Sequence, residues 1–250
     1  MNKHIVVVNT PKYNRETYFT RFISQIRENQ MHRKTPVVLL NTDYADGLPV
    51  ELERIGARHV YGHGNHETEI KQANLYEAEH ILILARDEYD DESDSLSFDL
   101  AYRLKEKGLA YRAIVECVDD ENRERFRRIG VKSVIRPIRS YPEILVRAME
   151  SPGSELIIED MFTWAGDHFM RFPAWLEGDR WGDVVIAMMS ANLGTPLAYV
   201  SKEGNVILHP PADEKVVAQS IIMLVRTEAI PSDAQVREAI RMFVSKQASA

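Results

Sequence analysis

Apolar residues in the first hundred-odd positions fall in short unbroken runs, separated by polar breaks and amphipathic stretches. Val6-Val7-Val8-Asn9, Val37-Val38-Leu39-Leu40-Asn41, His59-Val60-Tyr61-Gly62, Ile81-Leu82-Ile83-Leu84-Ala85 and Ala113-Ile114-Val115-Glu116 recur at spacings too long for hairpins. Their cores are mostly β-branched or Leu and do not alternate with polar residues, the pattern of strands covered on both faces. Strands alternating with helical stretches predict βαβ units and an α/β fold with a Rossmann-like, doubly wound parallel sheet. Such a sheet binds its ligand in the crevice at the carboxyl ends of its strands.

The intervening stretches have helical periodicity. Phe19, Phe22, Ile23 and Ile26 share one face of a helix expected over Arg15–Asn29. Shorter helices are expected through Leu52 and Ile55 and over Glu67–Tyr76, and a longer one over Ser95–Lys107, where Gly108 supplies a natural stop. A charged helix over Glu121–Ile129 and a short strand, Ser133–Ile135, complete the lobe. After Arg136-Pro137 the pattern changes to two apolar helices, Ser140–Glu150 and Glu155–Trp164, joined by Ser151-Pro152-Gly153. Beyond them a small α+β unit is expected. Its strands are His168–Phe172, Leu197–Val200, Val206–His209 and Ser220–Val225, and its helix is Trp181–Asn192. Pro231-Ser232-Asp233 then caps a last helix, Ala234–Lys246. The expected organisation is a Rossmann-like lobe (1–150), a helical connector (151–166), a small α+β C-terminal subdomain (167–228) and a helix with tail (229–250).

Composition narrows the function classes. A formal charge of −7 disfavours nucleic acid or anionic membrane as the main partner. Arg123, Arg125, Arg127 and Arg128 are interleaved with Asp119, Asp120, Glu121 and Glu124, which makes an ordinary solvated face. The single cysteine, Cys117, excludes an internal disulfide and reads as a buried small residue rather than a reactive thiol. No apolar run approaches the roughly 18 residues of a membrane span, and the first residues lack the features of a signal peptide. The expected location is therefore cytoplasmic.

The strand ends hold the candidate chemistry. A dinucleotide-binding turn after the first strand carries closely spaced glycines, yet here the first glycine of the chain is Gly47, and Pro11 removes an amide donor. Asp43 follows the second strand, where an acid can accept hydrogen bonds from a ribose, or simply cap the turn. Gly62-His63-Gly64-Asn65-His66 allows a tight turn with exposed amides. A metal site at His63 and His66 is the alternative, without a further ligand nearby. The fourth strand breaks at Arg86, and six of the eight residues from Asp87 to Asp94 are acidic. A solvated loop leading into a helix and a divalent-cation site both remain open for that run.

The order of these features resembles the regulator of potassium conductance (RCK, TrkA-N) domain, over roughly residues 3–228. The resemblance rests on Gly62 with the stretch Ala73-Asn74-Leu75-Tyr76-Glu77-Ala78-Glu79-His80-Ile81-Leu82-Ile83-Leu84, and on Arg127-Arg128-Ile129-Gly130-Val131-Lys132-Ser133-Val134-Ile135-Arg136-Pro137. The first is similar to the family's Gly-Asp turn, helix and fourth strand, with His63 in place of the Asp. The second is similar to its glycine, small strand and proline passage into a crossover helix. The resemblance implies a non-enzymatic gating domain of a potassium channel. A nucleotide would be contacted by Asn9, Lys12, Asp43, Gly62, His63 and Arg86. In calcium-gated members, carboxylates at the fourth and fifth strand ends hold the ion. Glu116 resembles one such position, Ala85 and Val118 occupy others, and Asp87, Asp90 and Asp91 are candidate replacements.

The missing glycines predict weak or no NAD binding and favour a mononucleotide, with Lys12 or Arg15 recovering part of the lost phosphate contact. The apolar residues Ile144, Leu145, Ala148, Leu156, Ile157, Ile158 and Met161 predict a homodimer or higher even oligomer joined through the connector helices, and the resemblance implies that this assembly is a gating ring coupled to a membrane pore. The alternatives are a free-standing regulatory subunit of a potassium transporter and a nicotinamide-dependent oxidoreductase.

Overall fold

The computed structural model describes residues 3–29, 31–137, 149, 151, 153–161 and 166–247. The chain divides into two compact units, Met1–Val146 and Arg147–Ala250.

The first unit is built on six parallel strands: β1 (His4–Val8), β2 (Val37–Asn41), β3 (Ala57–Tyr61), β4 (Ala78–Ile83), β5 (Ala113–Glu116) and β6 (Ser133–Ile135). Its helices are α1 (Arg15–Glu28), α2 (Val50–Arg54), α3 (Glu67–Gln72), α4 (Glu92–Glu106) and α5 (Arg123–Arg128). Successive strand side chains point to opposite faces. Ile5, Val7, Val37 and Leu39 thus pack with Phe19, Ile23 and Leu52 from α1 and α2. Val6, Val8, Val38, Leu40, Ile81, Ile83 and Val115 pack with Ile70, Leu100, Leu104 and Phe126 from α3, α4 and α5. Burying such a side chain stabilises by about 1.5–3 kcal/mol. With a layer on each face that gain is available at every strand position, hence the unbroken apolar runs.

The strand order is β3-β2-β1-β4-β5-β6. The chain starts in the middle, builds outward to β3, and returns to lay β4 against the other side of β1. The connections leaving β1 and β4 therefore diverge, and a crevice opens between them at the carboxyl edge.

In this unit two helix boundaries differ from expectation by three or more residues. α3 stops at Gln72 because Asn74 turns left-handed (φ 49), and a 3-10 turn, Leu75–Glu77, covers the remainder of the expected helix. α4 begins at Glu92, so the end of the acidic run forms its first turn. At its other end Gly108 is left-handed (φ 69), as expected, and the Leu109 amide reaches back to the Leu104 carbonyl at 2.7 Å.

The second unit contains α6 (Ser154–Met161), β7 (His168–Arg180), α7 (Trp181–Ser190), β8 (Thr195–Val200), β9 (Val206–Leu208), β10 (Lys215–Val225) and α8 (Asp233–Gln247). Its antiparallel sheet has the order β7-β10-β8-β9. Phe172, Leu176, Ile221 and Met223 pack with Val184 and Met188 of α7 and Val236 of α8. β7 continues past Pro173, well beyond the expected end at Phe172. It is an edge strand hydrogen-bonded only to β10, a position where a missing amide is tolerated. The expected helix over 140–150, with Ile144, Leu145 and Ala148, lies outside the described residues apart from Met149.

Candidate functional site

On the β1 flank of the crevice, Asn9 takes a left-handed conformation (φ 69), which Asn tolerates better than most residues. Its amide donates to the Leu40 carbonyl (3.1 Å) and its side-chain Nδ2 donates to the Leu84 carbonyl (3.1 Å) at the end of β4. Thr10 and Pro11 are buried. The Lys12 amide donates to the Arg86 carbonyl at 2.7 Å, and its Nζ pairs with Asp87 Oδ2 at 2.7 Å. That hydrogen-bonded pair raises the Lys12 pKa and lowers that of Asp87, whose carboxylate also accepts from the Tyr89 amide. The turn after β1 thus crosses towards the exit of β4.

Beyond β2, Arg15 Nη1 lies 3.1 Å from Asp43 Oδ1, and the Asp43 amide donates to Asn41 Oδ1 at 3.1 Å. His59 Nε2 is 3.1 Å from the Asn41 carbonyl and 3.2 Å from its Oδ1. Burial lowers the His59 pKa, against the opposing effect of the backbone hydrogen bond.

The β4–β5 flank is held differently. Glu116, 6% exposed, accepts the Ala85 amide at 2.9 Å. Asp94, 2% exposed, accepts from the amides of Val118 (2.7 Å) and Asp119 (3.0 Å) and from Asn122 Nδ2 (3.0 Å). The Cys117 thiol donates to the Asp119 carbonyl at 3.0 Å, and burial, with Asp94 beside it, pushes its pKa to about 12. Ser93 Oγ accepts the Asp87 amide (2.9 Å) and donates to the Asp87 carbonyl (2.8 Å), tying the start of α4 to the β4 exit. The amides of Ala85, Val118 and Asp119 on this flank are therefore occupied by the chain's own carboxylates.

Of the sequence-derived residues, Asn9, Lys12, Arg86 and Asp87 come together across the crevice, while Asp43 pairs with Arg15 one strand away. Gly62 and His63 belong to a local turn. The Gly62 amide donates to the Asn41 carbonyl at 3.1 Å, and a Cβ on Gly62 would lie 2.5 Å from the Glu69 side chain. Glu69 in turn accepts the Asn65 and His66 amides at 3.0 and 3.3 Å, and His63 is exposed.

The four carboxylates suggested for a cation, Asp87, Asp90, Asp91 and Glu116, are not gathered into a cluster. Asp87 is engaged by Lys12, Asp90 accepts the Glu92 amide at 2.9 Å, Asp91 stands before α4, and Glu116 turns to Ala85. Among the described residues no group of three or more His, Cys, Asp or Glu side chains is placed to hold a metal ion. The role of Asp94 was missed by reading it as part of a solvated run. A signal was present, because Asp94 continues the buried stripe of Ser97, Ala101 and Leu104 along α4 at helical spacing.

Residues 20–137 match the TrkA-N domain family. The "Probable ion channel POLLUX" of Oryza sativa subsp. japonica is 28% identical over 153 residues, 58% of this chain and 15% of that protein. Among solved structures, the human SLO3 gating ring superposes with a TM-score of 0.64 at 15% identity, covering 95% of this chain and 46% of that one. The GsuK channel bound to NAD superposes with a TM-score of 0.44 at 14% identity, covering 100% of this chain and 39% of that one. The chain spans less than half the length of each of these three proteins. No helix among the described residues is long and apolar enough to cross a membrane.

Proposed function

We propose, from the match of residues 20–137 to the TrkA-N domain family, that the chain is a cytoplasmic gating domain of a potassium channel. A ligand at the carboxyl edge of the parallel sheet alters how paired lobes pack, and a pore carried by another part of the assembly responds. The observation that carries this reading is the family match over residues 20–137, in a lobe whose switch-point loops are joined by side-chain contacts. The turn after β1, where dinucleotide enzymes place glycines, is closed against β4 by Asn9 and Lys12. That closure supports regulated binding over hydride transfer.

A nucleotide is the favoured ligand, with Asn9, Lys12, Asp43 and Arg86 as its contacts. A divalent cation at Asp87, Asp90, Asp91 and Glu116 requires two carboxylates to leave existing partners, Lys12 and the Ala85 amide, and is the less supported choice. The copies join through the connector, whose described part, α6, exposes Leu156 and Ile157. A free-standing transporter subunit works by the same physics. In each case the ligand must bind one packing more tightly than the other, since equal affinity shifts nothing.

Titration with ADP, AMP, NAD and calcium, followed by melting temperature and by molar mass from light scattering, tests this reading. A ligand at about one hundred times its Kd stabilises by roughly 2.7 kcal/mol. The expected result is such a gain with ADP or AMP, with a dimer or larger even assembly. A monomer that turns over a nicotinamide cofactor would sink it.

A further inference from the structure

The segment from Thr10 to Tyr13 is tied down in a way that no phosphate-binding turn requires. Left-handed asparagines bound it at both ends, Asn9 (φ 69) and Asn14 (φ 50). Three of its tethers reach the exit of β4, Asn9 Nδ2 to the Leu84 carbonyl, the Lys12 amide to the Arg86 carbonyl and Lys12 Nζ to Asp87, while the Asn9 amide donates to the Leu40 carbonyl of β2. A pyrophosphate at a switch point lies over this same gap between the β1 turn and its neighbours. Here the chain itself spans it.

We infer that residues 10–13 form a releasable strap over the crevice, clasped by Lys12 and Asp87, and that a nucleoside diphosphate enters when the clasp opens. This rests on the crevice being the ligand site. The clasp is exposed on the lysine side, 56% against 15% for Asp87, and beyond it the segment is held by single hydrogen bonds and by the buried Thr10 and Pro11 at its start. Asp87 stays anchored without Lys12, because Ser93 and the Tyr89 amide hold it from the α4 side. The strap therefore lifts from a β4 exit that keeps its shape. Opening exchanges one anion for another at the Lys12 ammonium, an internal carboxylate for an incoming phosphate. The apparent affinity of the crevice is then its intrinsic affinity reduced by the fraction of time the strap is open.

The test uses the full chain and two readouts: amide exchange at Lys12 by NMR, and calorimetric titration with ADP and with NAD at low salt. Asp87→Asn removes the clasp charge and leaves an oxygen for the Tyr89 amide. The expected result is faster exchange at the Lys12 amide and ADP binding tightened by about threefold to fivefold, the range of an exposed ion pair. Asn9→Gly, which removes the tether to the Leu84 carbonyl, should also quicken exchange at the Lys12 amide. Unchanged exchange at Lys12 in Asp87→Asn overturns the strap. Faster exchange with unchanged ADP affinity overturns the clasp as a gate. If exchange quickens and neither ADP nor NAD binds wild type or variant, the crevice is not the ligand site, and the reading beneath the inference fails with it.

Discussion

The two flanks of the switch point are built from similar residues and held by different physics. On the β1–β2 side the charged groups are Lys12, Arg15 and Asp43, with Asp87 reaching Lys12 from the exit of β4. They pair with one another, with the cationic partners 56% and 41% exposed, so water and salt compete for every contact. On the β4–β5 side Asp94 and Glu116 are almost fully buried and accept backbone amides. A buried carboxylate has lost its hydration, so each amide bond it gains must be present, and removing either partner strands the other. One flank is releasable and the other is part of the core. A lobe that must change shape on binding while keeping its fold needs both.

The largest effect should come from breaking the rigid flank. Asp94→Ala leaves the Val118 and Asp119 amides and the Asn122 side chain without their acceptor, at a cost of about 2–4 kcal/mol. Urea denaturation should show a lower midpoint with an unchanged m-value. Asp94→Asn keeps one oxygen acceptor and should lose less. Cys117 gives a local readout of the same break. Its thiol, pushed to about 12 by burial, should resist a thiol reagent at pH 8 in the native protein and react once Asp94 is removed. A midpoint within about 0.5 kcal/mol of wild type would mean that the two flanks do not differ as described.

Glu116→Ala comes next. It deprives the Ala85 amide of a buried charged acceptor, about 1–3 kcal/mol, while Glu116→Gln should retain much of the stability by keeping the oxygen in place. Equal losses for the two variants would show that the charge itself, through other contacts of Glu116, matters more than the bond to Ala85.

The difference between the flanks was only half legible in the sequence. Unbroken apolar runs revealed the parallel sheet, because two-sided burial leaves a mark at every strand position, and Gly108 marked the end of α4. The absent glycines after β1 were also visible. The destination of each carboxylate was not. Asp87, Asp94 and Glu116 all look like surface acids at strand or helix ends, and which one is buried depends on amides that approach from 23 or more residues away. The strand expected to end at Phe172 runs on through Pro173. A proline ends a strand only where its amide is needed, and the sheet order shows that β7 is an edge strand among the described residues.

Acidification should weaken the protein by a smaller amount. His59 of β3, whose ring faces Asn41 at the end of β2, has its pKa lowered, first by burial, and the same holds for His4 and His80 elsewhere on the sheet. A histidine depressed in the folded state contributes its full stability above the unfolded value of about 6.5, and loses it as the pH falls from there through the folded value. Stability should thus be flat from about pH 7 to 8 with respect to these groups and decline below about 6.5. His59→Gln should make that decline shallower without abolishing it. A stability that rises on acidification through this window would contradict the burial of all three.

The smallest effect is expected at the Arg15–Asp43 pair, and it is the sharpest test of the comparison because it should be almost nothing. The contact is 3.1 Å long with side chains 41% and 19% exposed, a setting in which an ion pair contributes about 0.5 kcal/mol or less. The Asp43 amide is already satisfied by Asn41 Oδ1, so Asp43→Asn strands no backbone group. Salt should erase even this term, since the screening length falls to about 3 Å at 1 M. A double-mutant cycle of Arg15→Gln with Asp43→Asn should therefore give a coupling of about 0.5 kcal/mol in dilute buffer and none in 1 M sodium chloride. A salt-resistant coupling above about 2 kcal/mol would place this pair with Asp94 and Glu116 among the fixed contacts. The β1–β2 flank would then have no freedom left for a ligand to exploit.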